Sequence, residues 1–245
     1  MVSVDAGRQP SWPTWWRRPR GRRLLRDEQV LLQAAWVRCP GQRALLIGSA
    51  APFRLPATSR LAHTIVLQPE TALLAGTLIG CAEALPLAAE SVDLVVLHHA
   101  LDQAQRPRAV LRETLRVLRP GGHIIVFGFN PWSLWRLLRW FGLGQPGPAA
   151  LPISVSHLGD WFELLDCDLA DIEFTGFAPP QDGATGSLWR LLTGALFRRR
   201  RALAAVYMVL ARKRERRLLM PPWRPSVWSV EQPLWHGRQA WTRRG

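Results

Sequence analysis

The central part of the chain alternates short apolar runs with one amphipathic stretch. The run Val92–Leu97 is apolar and partly β-branched, which is typical of a strand that is covered on both faces. Leu111, Leu115 and Leu118 then recur at i, i+4 and i+7, with arginines on another face, which predicts a helix lying on a sheet. A second apolar run follows at His123–Phe129. This order predicts one βαβ unit of a parallel sheet with a right-handed crossover.

The predicted helix has boundary signals at both ends. Pro107 stands at its first position, where a missing N–H costs no hydrogen bond, and Pro120-Gly121-Gly122 is expected to end it. Further apolar runs bring the predicted sheet to seven strands, the others being Arg43–Ile47, His63–Leu67, residues 76–79, Leu169–Thr175 and Ala204–Ala211. Other helices are predicted over residues 27–38, 131–141, Ser156–Leu165 with Ser156 as the N-cap, and 187–197.

Four pieces of this region occur in a fixed order: a loop reading ALPL, an aspartate-led strand, a histidine-containing segment, and a helix ending in LRPGG. They are Glu83–Leu87, Ser91–Leu97, His98–Leu101 and Leu115–Gly122. Together they resemble the type 11 group of class I S-adenosylmethionine-dependent methyltransferases. The clear match covers residues 76–130, and a looser one runs from about 43 to 213. The resemblance implies an α/β fold with a Rossmann-like, doubly wound seven-stranded sheet, mostly parallel, whose antiparallel last strand lies between strands five and six.

The resemblance also implies S-adenosyl-L-methionine as the cofactor, held where three strands end. This chain departs from the family at all three turns. After strand one, a single glycine, Gly48, precedes Ser49 where the family usually has three glycines. After strand two, Gln68 stands where an acid is expected, and Glu70 lies two residues later. After strand three, Cys81 replaces the usual aspartate.

Two interpretations of this pocket follow. In the first, Gln68 or Glu70 still binds the ribose and backbone groups near Ala82 hold the adenine, because backbone amides survive a change of side chain. In the second, the pocket no longer binds the cofactor. The predicted cofactor-binding residues are Gly48, Ser49, Gln68, Glu70, Cys81, Ala82 and His98.

The two histidines that follow strand four, His98 and His99, are the candidate catalytic residues. A sulfonium methyl group is already activated, so its transfer needs mainly an aligned nucleophile and the exclusion of water. Where the acceptor must lose a proton, either histidine could act as the general base. In the alternative, one histidine caps the strand and the other lies in solvent. No metal site is predicted, because His98, His99 and Asp102 have no further cluster of ligands in the sequence.

Positive charge is concentrated at the two ends of the chain. The net charge is +14, yet residues 27–197 carry −3. Residues 1–26, rich in Arg, Trp and Pro without a hydrophobic period, are expected to be a disordered basic arm. Residues 214–245 are expected to be a similar basic tail, which leaves 27–213 as the methyltransferase domain. Within it, residues 131–150 are predicted to form a Trp-rich helical insertion or lid.

These features leave several partners open. The Arg- and Trp-rich arms suit RNA phosphates with bases stacked on the indoles, or an anionic membrane surface, or are simply solvated. The methyl acceptor is expected to be a small amphipathic molecule or RNA. The alternative is a catalytically degenerate protein that binds RNA, a membrane or a protein partner. Three scattered cysteines, no secretory pattern and no apolar run of about 20 residues predict a cytoplasmic protein, at most peripheral to a membrane.

Overall fold

A seven-stranded mixed sheet is the centre of the fold. The computed structural model describes residues 12–48, 53–56, 63–68, 77–136, 151–176 and 203–215. The strands are β1 (Arg43–Gly48), β2 (His63–Gln68), β3 (Thr77–Ile79), β4 (Val92–His98), β5 (Leu118–Phe129), β6 (Cys167–Thr175) and β7 (Val206–Lys213). Their order across the sheet is β3-β2-β1-β4-β5-β7-β6. β7 is antiparallel to β5 and β6, and the other pairs are parallel. The predicted α/β topology is confirmed, including the inserted last strand.

Helices cover both faces of this sheet. They are α1 (Trp12–Arg17), α2 (Pro19–Trp36), α3 (Ala100–Gln103), α4 (Pro107–Val117) and α5 (Val155–Leu164). On one side, which we call the α4 face, the core is built around Leu97, Leu111 and Phe162. On the other side, the α2 face, it is built around Trp16 and Phe127. Alternate residues of each central strand point to opposite faces, so β1, β4 and β5 contribute to both cores.

Helix α4 begins at Pro107, as predicted, but ends earlier than the sequence suggests. It stops at residue 117, and β5 begins at Leu118, so the Pro-Gly-Gly sequence lies inside the strand. Gly121 has φ +76°, which favours glycine. A Cβ on Gly122 would meet the carbonyl oxygen of Asp93 at 2.9 Å. The two glycines therefore serve a tight joint between helix and strand.

A lysine from β7 completes this joint. Lys213, the one lysine of the sequence, donates from Nζ to the carbonyl oxygens of Leu115 and Leu118, each at 2.7 Å. The last carbonyls of a helix have no partner within the helix. The ammonium group supplies that partner, which lets the chain leave α4 directly as a strand.

The amino-terminal segment differs most from its prediction. Residues 12–26, expected to be disordered, form α1 and the first half of α2. Trp15 and Trp16 are only 3% and 1% exposed. Gly21 allows the two helices to touch, because a Cβ there would meet the Trp15 carbonyl oxygen at 2.5 Å. An indole buries roughly 150–250 Å² of mostly apolar surface. That burial outweighs the arginine content that suggested disorder, and most of these arginines stay exposed.

Other boundaries also shift. The N-cap of α5 is Ser154, whose Oγ accepts from the His157 backbone N–H at 3.2 Å, and not the predicted Ser156. Of the predicted lid, residues 134–136 are helical, and 137–150 lie outside the described residues. The predicted helix 187–197, residues 1–11 and most of the basic tail lie outside them too. None of the helices described combines the length and apolarity that crossing a bilayer requires.

Candidate functional site

The carboxyl ends of β1 and β4 meet at the point where strand order reverses, the usual place for a ligand in such a sheet. Gly48 pairs with His98 across the two strands. A Cβ on Gly48 would meet the His98 carbonyl oxygen at 2.6 Å and the His98 Cβ at 2.8 Å. This glycine is therefore required by strand packing. The backbone of Gln68 ends β2 beside Ile79, whereas Ser49 and Glu70 lie outside the described residues.

The turn after β3 contains two of the predicted cofactor residues. The Ala84 N–H donates to the Cys81 carbonyl at 3.1 Å, which closes a turn over residues 81–84. Cys81 is exposed, and Ala82 is half-buried against the α4 face. The turn thus presents an open outer surface at the carboxyl edge.

The loop that follows this turn is fixed to α4 by an ion pair. The Leu85 N–H donates to Glu113 Oε1 at 2.8 Å, and Arg116 donates to the carbonyls of Leu85 and Leu87 at 3.1 and 2.9 Å. Glu113 and Arg116 are themselves paired at 2.8 Å. The Arg116 hydrogen bond is the main cause that lowers the pKa of Glu113. The ALPL sequence therefore has a position set by the helix.

A buried cluster of ionisable groups lies at the end of β4. The Nε2 atom of His98 is 2.9 Å from Oε2 of Glu28, and the Nε2 atom of His99 is 3.0 Å from Oε1 of the same carboxylate. Two consecutive residues of a strand normally point to opposite faces. His99 has φ 53° and ψ 18°, and this left-handed conformation brings its ring to the side of His98. We call Glu28, His98, His99 and Asp102 the histidine cluster.

Asp102 completes the cluster from α3. Its Oδ2 is 2.7 Å from His99 Nδ1 and accepts the Phe129 backbone N–H at 2.9 Å. All four side chains of the cluster are at most 1% exposed. The Nδ1 atom of His98 and the Oδ1 atom of Asp102 have no hydrogen-bond partner in the part of the chain described. Both ends of the His99 ring are thus held by carboxylates.

Burial and neighbouring charges shift the pKa values of the two histidines in opposite directions. Burial lowers the pKa of His98 to about 4, although the hydrogen bond and charge of Glu28 oppose this. Burial would also lower the pKa of His99. The charge of Glu28, together with the hydrogen bonds that His99 makes with Asp102 and Glu28, raises this pKa to about 9. Burial acts to raise the pKa of Glu28, yet the two histidines lower it; burial raises that of Asp102. His99 is therefore an imidazolium between carboxylates, and His98 is neutral.

Aromatic rings seal the histidine cluster from solvent. Phe53 stacks on the His98 ring with centroids 3.8 Å apart. Trp16 lies 5.2 Å from the His98 ring and 5.3 Å from the His99 ring, and Phe129 lies 4.3 Å from His99. The two predicted catalytic histidines are thus together, but neither faces an open cleft. Both side chains are fully buried, so a general-base role would require this aromatic cover to open.

These contacts bear on how well the chain fits an adenosyl cofactor. The turn at residues 81–84 fits the adenosine end, because it is held in place and open outward. At the end of β4, by contrast, Phe53 stacks on the His98 ring and both side chains are buried. The predicted cofactor residues are therefore divided between an open side at β3 and a closed side at β4.

Sequence reasoning missed Glu28. It is 0% exposed, yet it precedes His98 by 70 residues. Its signal lies in the pattern of α2, where Leu24, Glu28 and Leu32 recur at i, i+4 and i+8 within the buried stripe. An acid inside the apolar stripe of an amphipathic helix needs a partner, because an unpaired buried charge is costly.

Comparison with known proteins agrees with this fold. The family model described as a methyltransferase domain, of the type 11 group, matches residues 61–126. A malonyl-[acyl-carrier protein] O-methyltransferase of Methylococcus capsulatus is 44% identical over 66 residues, 26% of this chain and 24% of that protein. The uncharacterized protein YafS of Escherichia coli is 30% identical over 146 residues, 58% of this chain and 57% of that protein. The matched region thus spans about a quarter of the length of the first of these relatives and just over half of the length of the second.

Solved structures show the same architecture. A SAM-dependent methyltransferase from Archaeoglobus fulgidus superposes with a TM-score of 0.52 at 17% identity, covering 77% of this chain and 94% of that one. With the domain match, this supports S-adenosylmethionine as the cofactor. The resemblance inferred from the sequence is confirmed over residues 61–126, which match the methyltransferase domain of the type 11 group, and the sheet as a whole has the fold found in S-adenosylmethionine-dependent methyltransferases.

Proposed function

We propose that the chain transfers a methyl group from S-adenosylmethionine to an acceptor that is either a small amphipathic molecule or RNA. The observation that carries the proposal is the loop Glu83–Leu87, which Glu113 and Arg116 fix to α4 so that the turn at Cys81 stays open at the carboxyl edge. A positioned turn on this edge is what an adenosyl ligand requires.

The residues of the chain act by binding and orientation. The cofactor supplies an activated methyl group when it is bound. The turn at Cys81 and Ala82 would hold the adenine through its backbone, and Gln68, at the end of β2, would take the ribose hydroxyls. The histidine cluster acts here as support for β4, because its histidines are sealed. An acceptor that needs no general base therefore suits this site best.

Two features support the choice of acceptor classes. Trp132 is 75% exposed at the start of the Trp-rich segment, which suits an apolar acceptor. The basic ends of the chain suit RNA, through phosphate contacts and stacking. If RNA is the acceptor, its binding should weaken steeply as salt rises. An amphipathic small molecule should bind with little dependence on salt.

The direct test is ligand binding to the full chain. We expect S-adenosylhomocysteine at 100 times its Kd to raise the melting temperature by about 5–10 °C. Cys81→Trp should abolish this rise by covering the turn, while the melting temperature without ligand stays unchanged because Cys81 is exposed. Ala89→Trp, also at an exposed position, is the matched control and should keep it. No rise in the unmodified protein at millimolar ligand would exclude the proposal.

A second candidate function rests on the closed side of the edge. Phe53 is buried and stacks on His98, the residue that pairs with Gly48, which favours a degenerate protein that binds RNA, a membrane or a protein without catalysis. Salt-sensitive RNA binding without any response to S-adenosylmethionine would support this candidate.

A further inference from the structure

The histidine cluster contains a set of donors that the proposed function does not use. We propose that Glu28, His98 and His99 form a binding site for a divalent transition-metal ion, with zinc as the best fit. Two imidazole nitrogens and a carboxylate oxygen are a common ligand set for zinc. The proposal concerns the α2 face and does not depend on methyl transfer.

The donor atoms are close enough to share one ion. The ligand atoms of the three residues all lie within 4.8 Å of one another, and the two Nε2 atoms are 2.9 and 3.0 Å from the Glu28 oxygens. Zinc binds imidazole nitrogen and carboxylate oxygen at about 2.0–2.2 Å in tetrahedral geometry, which places two donors of one ion roughly 3.4 Å apart. Donor pairs that lie as far apart as 4.8 Å therefore have to close by up to about 1.4 Å when the ion binds.

The charge of the cluster also suits a divalent ion. When an ion displaces the proton of His99, both imidazoles are neutral, and the Glu28 and Asp102 carboxylates then contribute two negative charges in a site that is at most 1% exposed. Isolated buried charges are strongly unfavourable. A divalent cation balances both charges at once.

The surroundings of His99 resemble the outer shell of a metal site. A metal-bound histidine usually donates its other ring N–H to a carboxylate or a carbonyl, which fixes the ring. His99 Nδ1 is 2.7 Å from Asp102, and Asp102 is in turn held by the Phe129 N–H. The left-handed backbone of His99 is strained for a side chain of this size, and strain of this kind concentrates at functional sites.

Metal binding would be coupled to the docking of the amino-terminal helices. Glu28 comes from α2, whereas both histidines come from the end of β4. Trp16 and Phe53 close over the cluster, so the ion would enter before α2 docks fully. Metal affinity then adds to the stability of the folded α2 face.

The test uses the full chain, made without a histidine tag in medium supplemented with zinc or cobalt. We expect about one ion per chain by elemental analysis after desalting. The cobalt form should show the visible absorption bands of tetrahedral or five-coordinate Co²⁺, and a chelator should lower the melting temperature. Less than about 0.2 ions per chain in both media would overturn the proposal, whatever the variants show.

Three variants grade the assignment. Glu28→Gln keeps the size and a hydrogen-bonding oxygen but removes a charged ligand, so it should weaken zinc binding more than about 100-fold. Asp102→Asn removes the outer-shell partner and should weaken it about 10- to 100-fold. His157→Gln, at an exposed histidine on α5, should change nothing. Binding that survives Glu28→Gln, or is lost in His157→Gln, would overturn the assignment. If Glu28→Gln does not fold, Asp102→Asn and the unmodified protein decide the question.

Discussion

The two faces of the sheet are stabilised by different interactions: apolar contacts on the α4 face, and apolar contacts together with buried ion pairs on the α2 face. The α4 face is apolar and is covered by elements that follow β4 in the chain. The α2 face has an apolar core of similar extent, but it surrounds a glutamate and two histidines that are fully buried. Apolar contacts on the first face tolerate small shifts, whereas the ion pairs on the second hold only if every partner is in place. The comparison shows where a methyltransferase fold can carry a feature of its own.

The largest expected difference in stability between the two faces comes from removing a buried indole on the α2 face. Trp16→Ala should reduce the free energy of unfolding by about 3–5 kcal/mol, because the side chain is 1% exposed and packs against both histidine rings. The measurement is urea-induced unfolding followed by circular dichroism.

Trp132→Ala is the matched control, since its indole is 75% exposed, and it should change stability by less than about 0.5 kcal/mol. Equal and small effects of both substitutions would mean that the amino-terminal helices are not part of the folded body.

The pH dependence of stability should come mainly from the α2 face. The raised pKa of His99, about 9 against the ordinary 6.5, stabilises the fold below pH 6.5, and this contribution is lost as pH rises through 9. The lowered pKa of His98, about 4, acts oppositely: stability falls from pH 6.5 towards pH 4, because the unfolded chain takes up a proton that folded His98 refuses. Each change is roughly 3 kcal/mol. Unfolding in urea, with a chelator present, should therefore be hardest near pH 6.5.

His99→Gln should remove the decline on the alkaline side, whereas His157→Gln should keep it. Stability that stays constant between pH 6.5 and 9 in the unmodified protein would contradict the assignment of a charged His99.

The smallest expected effect concerns the reactivity of two buried thiols, one on each face. Burial raises the pKa of Cys39, on the α2 face, and of Cys167, on the α4 face, to about 11 each. At pH 8 in native conditions, iodoacetamide should therefore label Cys81 alone. Towards pH 9, Cys39 should become reactive before Cys167, because loss of the His99 proton loosens the α2 face. Mass spectrometry of the labelled peptides distinguishes Cys39 from Cys167. Labelling of Cys167 before Cys39 would contradict the prediction that the α2 face opens first.

The sequence predicts the α4 face well and the α2 face poorly. The run Val92–Leu97, the stripe on α4 and the run His123–Phe129 lie in one continuous segment, so period and spacing were enough to place them. The joint after α4 was misplaced, because its cap is Lys213 from a distant strand.

The histidine cluster could be found only in part. His98 and His99 were visible after β4, but their burial depends on residues far away in the chain. Glu28 reaches them from α2, and Phe53 and Trp16 cover them. Composition pointed to disorder for the amino-terminal segment, because local counts of arginine carry no information on what the indoles contact.

The bond between Lys213 and the end of α4 has a practical consequence. Lys213 is the single lysine of the sequence, so it is the single ε-amine that an acylating reagent could modify. Its ammonium group already donates hydrogen bonds to two carbonyl oxygens. Acylation at this position would report how often the joint between α4 and β5 comes apart. The rate at which Lys213 is acylated would therefore measure local opening of the structure at the end of α4, where the methyltransferase sequence motif ends.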